Sequence, residues 1–239
     1  MIKCLFGLLI ILNSTLLFAD KIYFRIAVDD SNYANFEASD SGDTANKLHF
    51  ILGKFQDNIF DQGAVKREFY NINKKSGIKF NGREVTVFEL TPVFRDRFTH
   101  SVWVYGKENI VRREVYNIQG KLMYAFGHTS EVPEIIYRKN PEISEKVTQK
   151  MGYKGFDLKL VKKTGNGATH LLFSDGVNNF SVFVTAPAID KPPLQKIVFG
   201  NNVFLKHIDN VTYTVVGGLP FAEMENVVKY IHKKGGIFK

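Results

Sequence analysis

ATHLLFSDGVNNFSVFVT, residues 168–185, is the most strongly patterned stretch of the chain. Two runs rich in Leu, Phe and β-branched residues flank Asp175-Gly176, a dipeptide that tolerates the positive φ of a two-residue hairpin turn. The stretch therefore reads as a β-hairpin in which Ser174 faces Val177, Leu171 faces Phe180 and Thr169 faces Val182. Side chains alternate across a strand, so Leu171, Phe173, Phe180 and Val182 share one side and His170, Leu172, Ser181 and Phe183 the other. Both sides carry apolar residues. The plainest reading is a hairpin inside a small sheet that packs on a helix.

The same residues carry a resemblance. Ser174-Asp175-Gly176, Phe180-Ser181-Val182-Phe183-Val184 and, some thirty residues on, Tyr213-Thr214-Val215-Val216-Gly217-Gly218-Leu219-Pro220 before a helix are similar to the C-terminal domain of the RseB/MucB family. These are periplasmic regulators of the sigma-E envelope stress response. A second block resembles the end of that family's N-terminal, lipoprotein-carrier-like domain. It comprises Asn81-Gly82-Arg83-Glu84, Leu90-Thr91-Pro92, Asp96-Arg97-Phe98, Trp103-Val104-Tyr105, Arg112-Arg113-Glu114 and Gly120-Lys121-Leu122. The resemblance implies an α+β chain: a LolA/LppX-like antiparallel half-barrel, then a smaller α+β domain with an antiparallel sheet and helices. The segment before Lys66 is shorter than in the family, so the half-barrel is expected in reduced form.

The resemblance also implies function. A family member holds the periplasmic domain of a membrane anti-sigma factor, shields it from proteolysis, and releases it on binding lipopolysaccharide or another anionic lipid. The alternative on the same fold is a periplasmic lipid or lipoprotein carrier, and a homodimer is left open. Groove candidates are Phe88, Leu90, Trp103 and Tyr105, with Arg95, Arg97, Arg112 and Arg113 to meet phosphates or acidic side chains. Phe173, Asp175 and Phe180 are the candidates for partner binding. The bland alternative makes the apolar residues core and the arginines a solvated basic face.

The chain begins with a lone Lys3, an apolar run broken by Asn13-Ser14-Thr15, and Ala19 before Asp20, which reads as a signal peptide over residues 1–19 cleaved after Ala19. A retained anchor would need a longer apolar stretch. Cleavage removes Cys4, the single cysteine, and with it any disulfide or thiolate chemistry. It also lowers the formal net charge from +8 to +7, which suits an acidic or anionic partner; after export, nucleic acid is excluded. A basic surface that only confers solubility is the competing explanation.

Residues 21–28 alternate as a strand, 29–43 are polar enough for a loop, and 44–60 place Leu48, Ile51, Leu52 and Phe55 at helical spacing, with a strand pair as the alternative there. Residues 66–126 read as an antiparallel meander, with strands at 66–72, 85–91, 100–105, 110–117 and 121–126. Asn140-Pro141 opens a helix that Gly152 ends. This sets a carrier-like domain over 20–135 and a second domain over 140–239. The latter adds strands at 156–162, 197–199, 203–206 and 211–216. Pro220 opens a last helix striped by Met224, Val227, Val228 and Ile231.

Chemistry is sparse. The six histidines show no metal-ligand spacing, and neither a nucleophile elbow nor a phosphate-binding glycine loop is present. His170 and Asp175 lie near opposite ends of one strand, too far apart for acid–base work. Asn210-Val211-Thr212 matches a glycan acceptor, a pattern common by chance. Neither cofactor nor metal is expected, and the reading is a binding protein, not an enzyme.

Overall fold

The computed structural model describes residues 21–39, 62–107, 109–127 and 152–234. Seven strands form the first sheet: β1 (Lys21–Ala27), β2 (Tyr33–Ser39), β3 (Tyr70–Phe80), β4 (Arg83–Pro92), β5 (Thr99–Tyr105), β6 (Asn109–Tyr116) and β7 (Leu122–Gly127). Six more form the second: β8 (Asp157–Lys163), β9 (Thr169–Ser174), β10 (Asn179–Thr185), β11 (Leu194–Val198), β12 (Asn201–Ile208) and β13 (Val211–Gly217), followed by helix α1 (Phe221–Lys233). Both sheets are antiparallel and open, in the orders β2-β1-β7-β6-β5-β4-β3 and β11-β12-β13-β10-β9-β8. The α+β class read from the sequence holds. The signal segment, the helix expected at 44–60, the helix opened by Asn140-Pro141 and the domain boundary all lie outside the described residues.

The meander of β3 to β7 forms, but the strand expected at 66–72 starts only at Tyr70 and runs on to Phe80, turning back at Asn81-Gly82. Asn117 closes the β6–β7 turn, its side-chain oxygen accepting from the N–H groups of Gln119 and Lys121. The sequence is overturned next to it. Residues 29–43 are not all loop, because β2 pairs with β1 along its whole length, from Lys21↔Ser39 to Ala27↔Tyr33. The polar composition there belongs to the turn alone: Asp29 Oδ1 accepts from the backbone N–H groups of Ser31 and Asn32, each at 2.8 Å. Beyond it Ala34 and Phe36 resume the alternation, with Phe36 opposite Phe24.

The hairpin of residues 168–185 forms with its two faces as expected but in a different register. Ser174 pairs with Asn179, Phe173 with Phe180 and Leu171 with Val182, so four residues close the loop instead of two. The Asp175 side chain is the reason. Its Oδ1 accepts from the N–H groups of Val177 at 2.9 Å and Asn178 at 2.7 Å, which holds a wider turn than the Asp-Gly dipeptide would make alone. A shift of two residues preserves which side chains share a face. Leu171, Phe173, Phe180 and Val182 are all buried, packed with Phe204, Val215, Met224, Val227, Val228 and Ile231 between the second sheet and α1. The helix stripe is core, as its spacing implies.

A separate apolar layer lies on one side of the first sheet. Phe24, Ile26, Phe88, Leu90, Val102, Val115, Tyr124 and Phe126 form it, and Val177 and Ile197 from the second sheet insert into it. The second sheet therefore meets the face of the first through the β9–β10 turn and strand β11. The aromatic cluster inside the second sheet gives a direct test of packing: Phe180 lies 5.0 Å from Phe156 and 4.9 Å from Phe173 by ring centroids. Truncation of Phe180 to Ala should cost about 3–5 kcal/mol in urea-induced unfolding, the range for an aromatic removed from a packed core.

Candidate functional site: the junction between the sheets

The sequence Asp96-Arg97-Phe98 falls in the β4–β5 connection, and Asp175 heads the β9–β10 turn. The fold brings them together. Arg97 Nη1 donates to Asp175 Oδ2 at 2.7 Å, Nε and Nη2 donate to the two carboxylate oxygens of Asp96, and Nη2 also reaches the Lys154 carbonyl at 2.7 Å. The guanidinium is completely buried, and its carbon lies 4.4 Å from the Phe69 ring centroid and 4.5 Å from that of Phe156. Gly155 makes that sandwich possible. A Cβ there would come 2.2 Å from the Phe69 ring, and its φ of +83° suits glycine.

From Asp175 the hydrogen bonds run on through the junction. Tyr70 OH donates to Asp175 Oδ2 at 2.7 Å and accepts from Asn178 Nδ2 at the same distance; Asn178 Nδ2 also reaches the Phe98 carbonyl. His100 Nε2 lies 2.9 Å from Asn178 Oδ1, and Arg113 Nη2 lies 2.9 Å from His100 Nδ1. An arginine can only donate, so His100 Nδ1 accepts and Nε2 carries the proton, which it gives to Asn178. Arg113 Nη2 also donates to the Val177 carbonyl. One unbroken path thus links Asp96, Arg97, Asp175, Tyr70, Asn178, His100 and Arg113. Two cations sit near two carboxylates with neutral groups between.

The electrostatics follow from burial and partners. Burial opposes the charge on Arg97, yet the hydrogen bonds to Asp96 and the fields of Tyr70, Asp96 and Asp175 outweigh it and hold its pKa above the ordinary value. Burial, then the Asp175 carboxylate, pushes the Tyr70 hydroxyl well up. Burial and the Arg113 charge hold His100 well below its usual 6.5, so it stays neutral. A second, smaller link lies alongside: Lys66 donates to the Gly155 carbonyl and to Asp157, and Lys154 pairs with Glu223 on α1, which also accepts from Tyr153.

The residues singled out in the sequence divide among five settings. Arg97, Arg113 and Asp175 are in this junction. Phe88 and Leu90 lie in the apolar layer beneath it, and Phe173 and Phe180 in the core of the second sheet. Trp103 and Arg112 occupy the opposite face of the first sheet, where Arg112 lies 4.2 Å over the indole, Phe80 stacks on the same indole at 6.2 Å between ring centroids, and Arg112 pairs with Glu114. Tyr23 and Ser101 on that face bury hydroxyls that have no hydrogen-bond partner among the described residues. Tyr105 and Arg95 are exposed, the former near Arg83. Asp96, Tyr70, His100 and Asn178 were not singled out. Asp96 stood in the quoted block, but the other three carry no local signal, since each gains its partner only through contacts across the two sheets. Among the described residues no cluster of His, Cys, Asp or Glu could hold a metal ion, and His170 bonds Ser181 and stacks on Phe183, away from Asp175.

The architecture defines a class: two open antiparallel sheets joined by a buried polar bridge, with one helix backing the second sheet. Residues 146–232 match the MucB/RseB C-terminal domain. The match spans the second sheet and nearly all of α1. Two solved structures share the fold. The complex of Pseudomonas aeruginosa MucA and MucB is similar over 87% of this chain and 90% of that one, at 16% identity and a TM-score of 0.56. MucB in complex with MucA(peri) is similar over 86% and 89%, at 15% identity and a TM-score of 0.53. No curated protein matches the chain.

Two outcomes test the junction. Arg97→Met leaves two carboxylates without their cation in a buried place and should cost about 3–5 kcal/mol in urea unfolding; Arg97→Met combined with Asp175→Asn should recover part of it in a double-mutant cycle. His100 has a folded-state pKa below its unfolded 6.5, so the unfolded chain binds the extra proton. Stability is then whole above about pH 7 and falls as pH drops through 6.5 toward the folded pKa. His100→Gln should flatten that acid-side slope in denaturation measured across pH, with His170→Gln as the comparison for a group half exposed to solvent.

Proposed function

We propose that this chain is a periplasmic regulatory binding protein that holds the periplasmic part of a membrane anti-sigma factor and restrains its proteolysis in the envelope stress response. The observation that carries the reading is the coincidence of two matches: the MucB/RseB C-terminal domain over residues 146–232, and a whole-chain fold shared with MucB in structures determined together with MucA. Binding, not catalysis, is the activity. Export by the segment ending at Ala19 and a mature charge of +7 are consistent with a periplasmic protein that meets acidic surfaces. Among the described residues no helix is long and apolar enough to cross a membrane.

Lipid or lipopolysaccharide is the proposed releasing ligand, and the face that carries Trp103, Phe80 and Arg112 is where it would sit. An arginine stacked on an aromatic pair offers a cation beside apolar surface, which suits a phosphate attached to an acyl chain. Release then follows from linkage, since a lipid that binds only the partner-free form must weaken the partner by the same factor.

The test uses the mature chain, residues 20–239, and the immobilised periplasmic part of a candidate membrane anti-sigma factor from the same genome. The expected result is saturable binding that added lipopolysaccharide weakens. Binding of lipid with no protein partner would leave a carrier in its place. Trp103 is the only tryptophan, so its emission reports directly on that face: a shift on adding lipopolysaccharide is expected, and Arg112→Ala should diminish it.

A further inference from the structure

Seven large apolar side chains are exposed among the described residues, and three of them, Leu158, Leu160 and Val161, fall on the single strand β8. Among the described residues β8 is an outer strand of the second sheet, bonded to β9 on one side only. Val161 is 50% exposed, and from Leu158 to Lys163 every side chain is open to solvent. Lys159, Lys162 and Lys163 flank the Leu160-Val161 pair. An edge strand with free backbone groups is a template for another strand, and lysines on such an edge ordinarily keep it unpaired. Lysines alone would do that. Exposed Leu and Val on both faces of the same strand do the reverse, because they reward an incoming strand whose side chains cover them.

Charge selects the occupant. A second copy of β8 would set lysines against lysines, and like charges directly opposite are destabilising. An acidic extended segment meets the same edge with opposite charge and gains the backbone bonds as well. β8 is also held firmly at its start, where Lys66 spans from the Gly155 carbonyl at 2.6 Å to Asp157 at 2.9 Å, next to the Arg97 sandwich. The bulge at Lys159 limits regular pairing to the part from Leu160 onward.

We infer that the β8 edge, Leu160 to Lys163, receives an acidic, extended peptide segment of the protein this chain holds, by strand addition. The inference rests on the binding reading above and names the surface and the chemistry of the contact. Backbone bonds supply affinity in such complexes, and alternate side chains supply selectivity.

The experiment is amide hydrogen exchange of the mature chain, alone and with the periplasmic part of the anti-sigma factor, together with its affinity for Lys159→Glu/Lys162→Glu and for Leu160→Thr/Val161→Thr. Both pairs are exposed and leave the core untouched. The expected result is slowed exchange confined to β8 in the complex and at least tenfold weaker binding by each double variant. A complex that forms while β8 exchanges as before, or that the variants bind equally well, overturns the edge inference and leaves the binding reading standing. β8 amides already protected in the chain alone would show the edge covered by the chain's own residues and overturn it too. Absence of any complex overturns the binding reading, and the edge inference with it.

Discussion

The Arg97 guanidinium has no solvent exposure and lies between the rings of Phe69 and Phe156, a position tolerable for a cation only where its charge and its N–H groups are matched. Asp96 matches it from the same loop, and Asp175 matches it from the other sheet. Everything else at the junction follows from that demand. Asp175 must sit at the head of the β9–β10 turn, so the turn must be four residues wide. Asn178 then lands where it can bond Tyr70 and His100, and Val177 reaches the apolar layer of the first sheet.

This dependence gives the two sheets one geometry. A buried polar path is sound only when every member is satisfied, since a half-satisfied one is worse than apolar packing. Sliding one sheet by a residue would break the bonds of Arg97, Tyr70, Asn178 and Arg113 together. Motion between the sheets is therefore all or none, and a ligand or partner that alters their arrangement acts on the whole path.

Much of the fold was legible in the sequence because it is set locally. The alternation of Leu171, Phe173, Phe180 and Val182 assigns a face whatever the turn, and Met224, Val227, Val228 and Ile231 mark the helix stripe without ambiguity. The register of the hairpin was not legible, because a side-chain oxygen, not the Asp-Gly backbone preference, decides it. Residues 33–39 were hidden by the polar turn before them. Arg97 and Asp175 were noticed as charged groups that need partners, and the fold gives them each other, while Arg112 pairs with Glu114 and Arg95 stays exposed. Tyr70, His100 and Asn178 could not be found at all, since nothing near them in sequence sets them apart.

The two blocks that carried the family resemblance, Asp96-Arg97-Phe98 and Ser174-Asp175-Gly176, prove to be the two halves of one contact. That has an evolutionary consequence. Loss of Arg97 alone leaves Asp96 and Asp175 without their cation in an apolar place, so position 97 is held for as long as both carboxylates remain. Drift elsewhere on the surface is free to proceed one residue at a time.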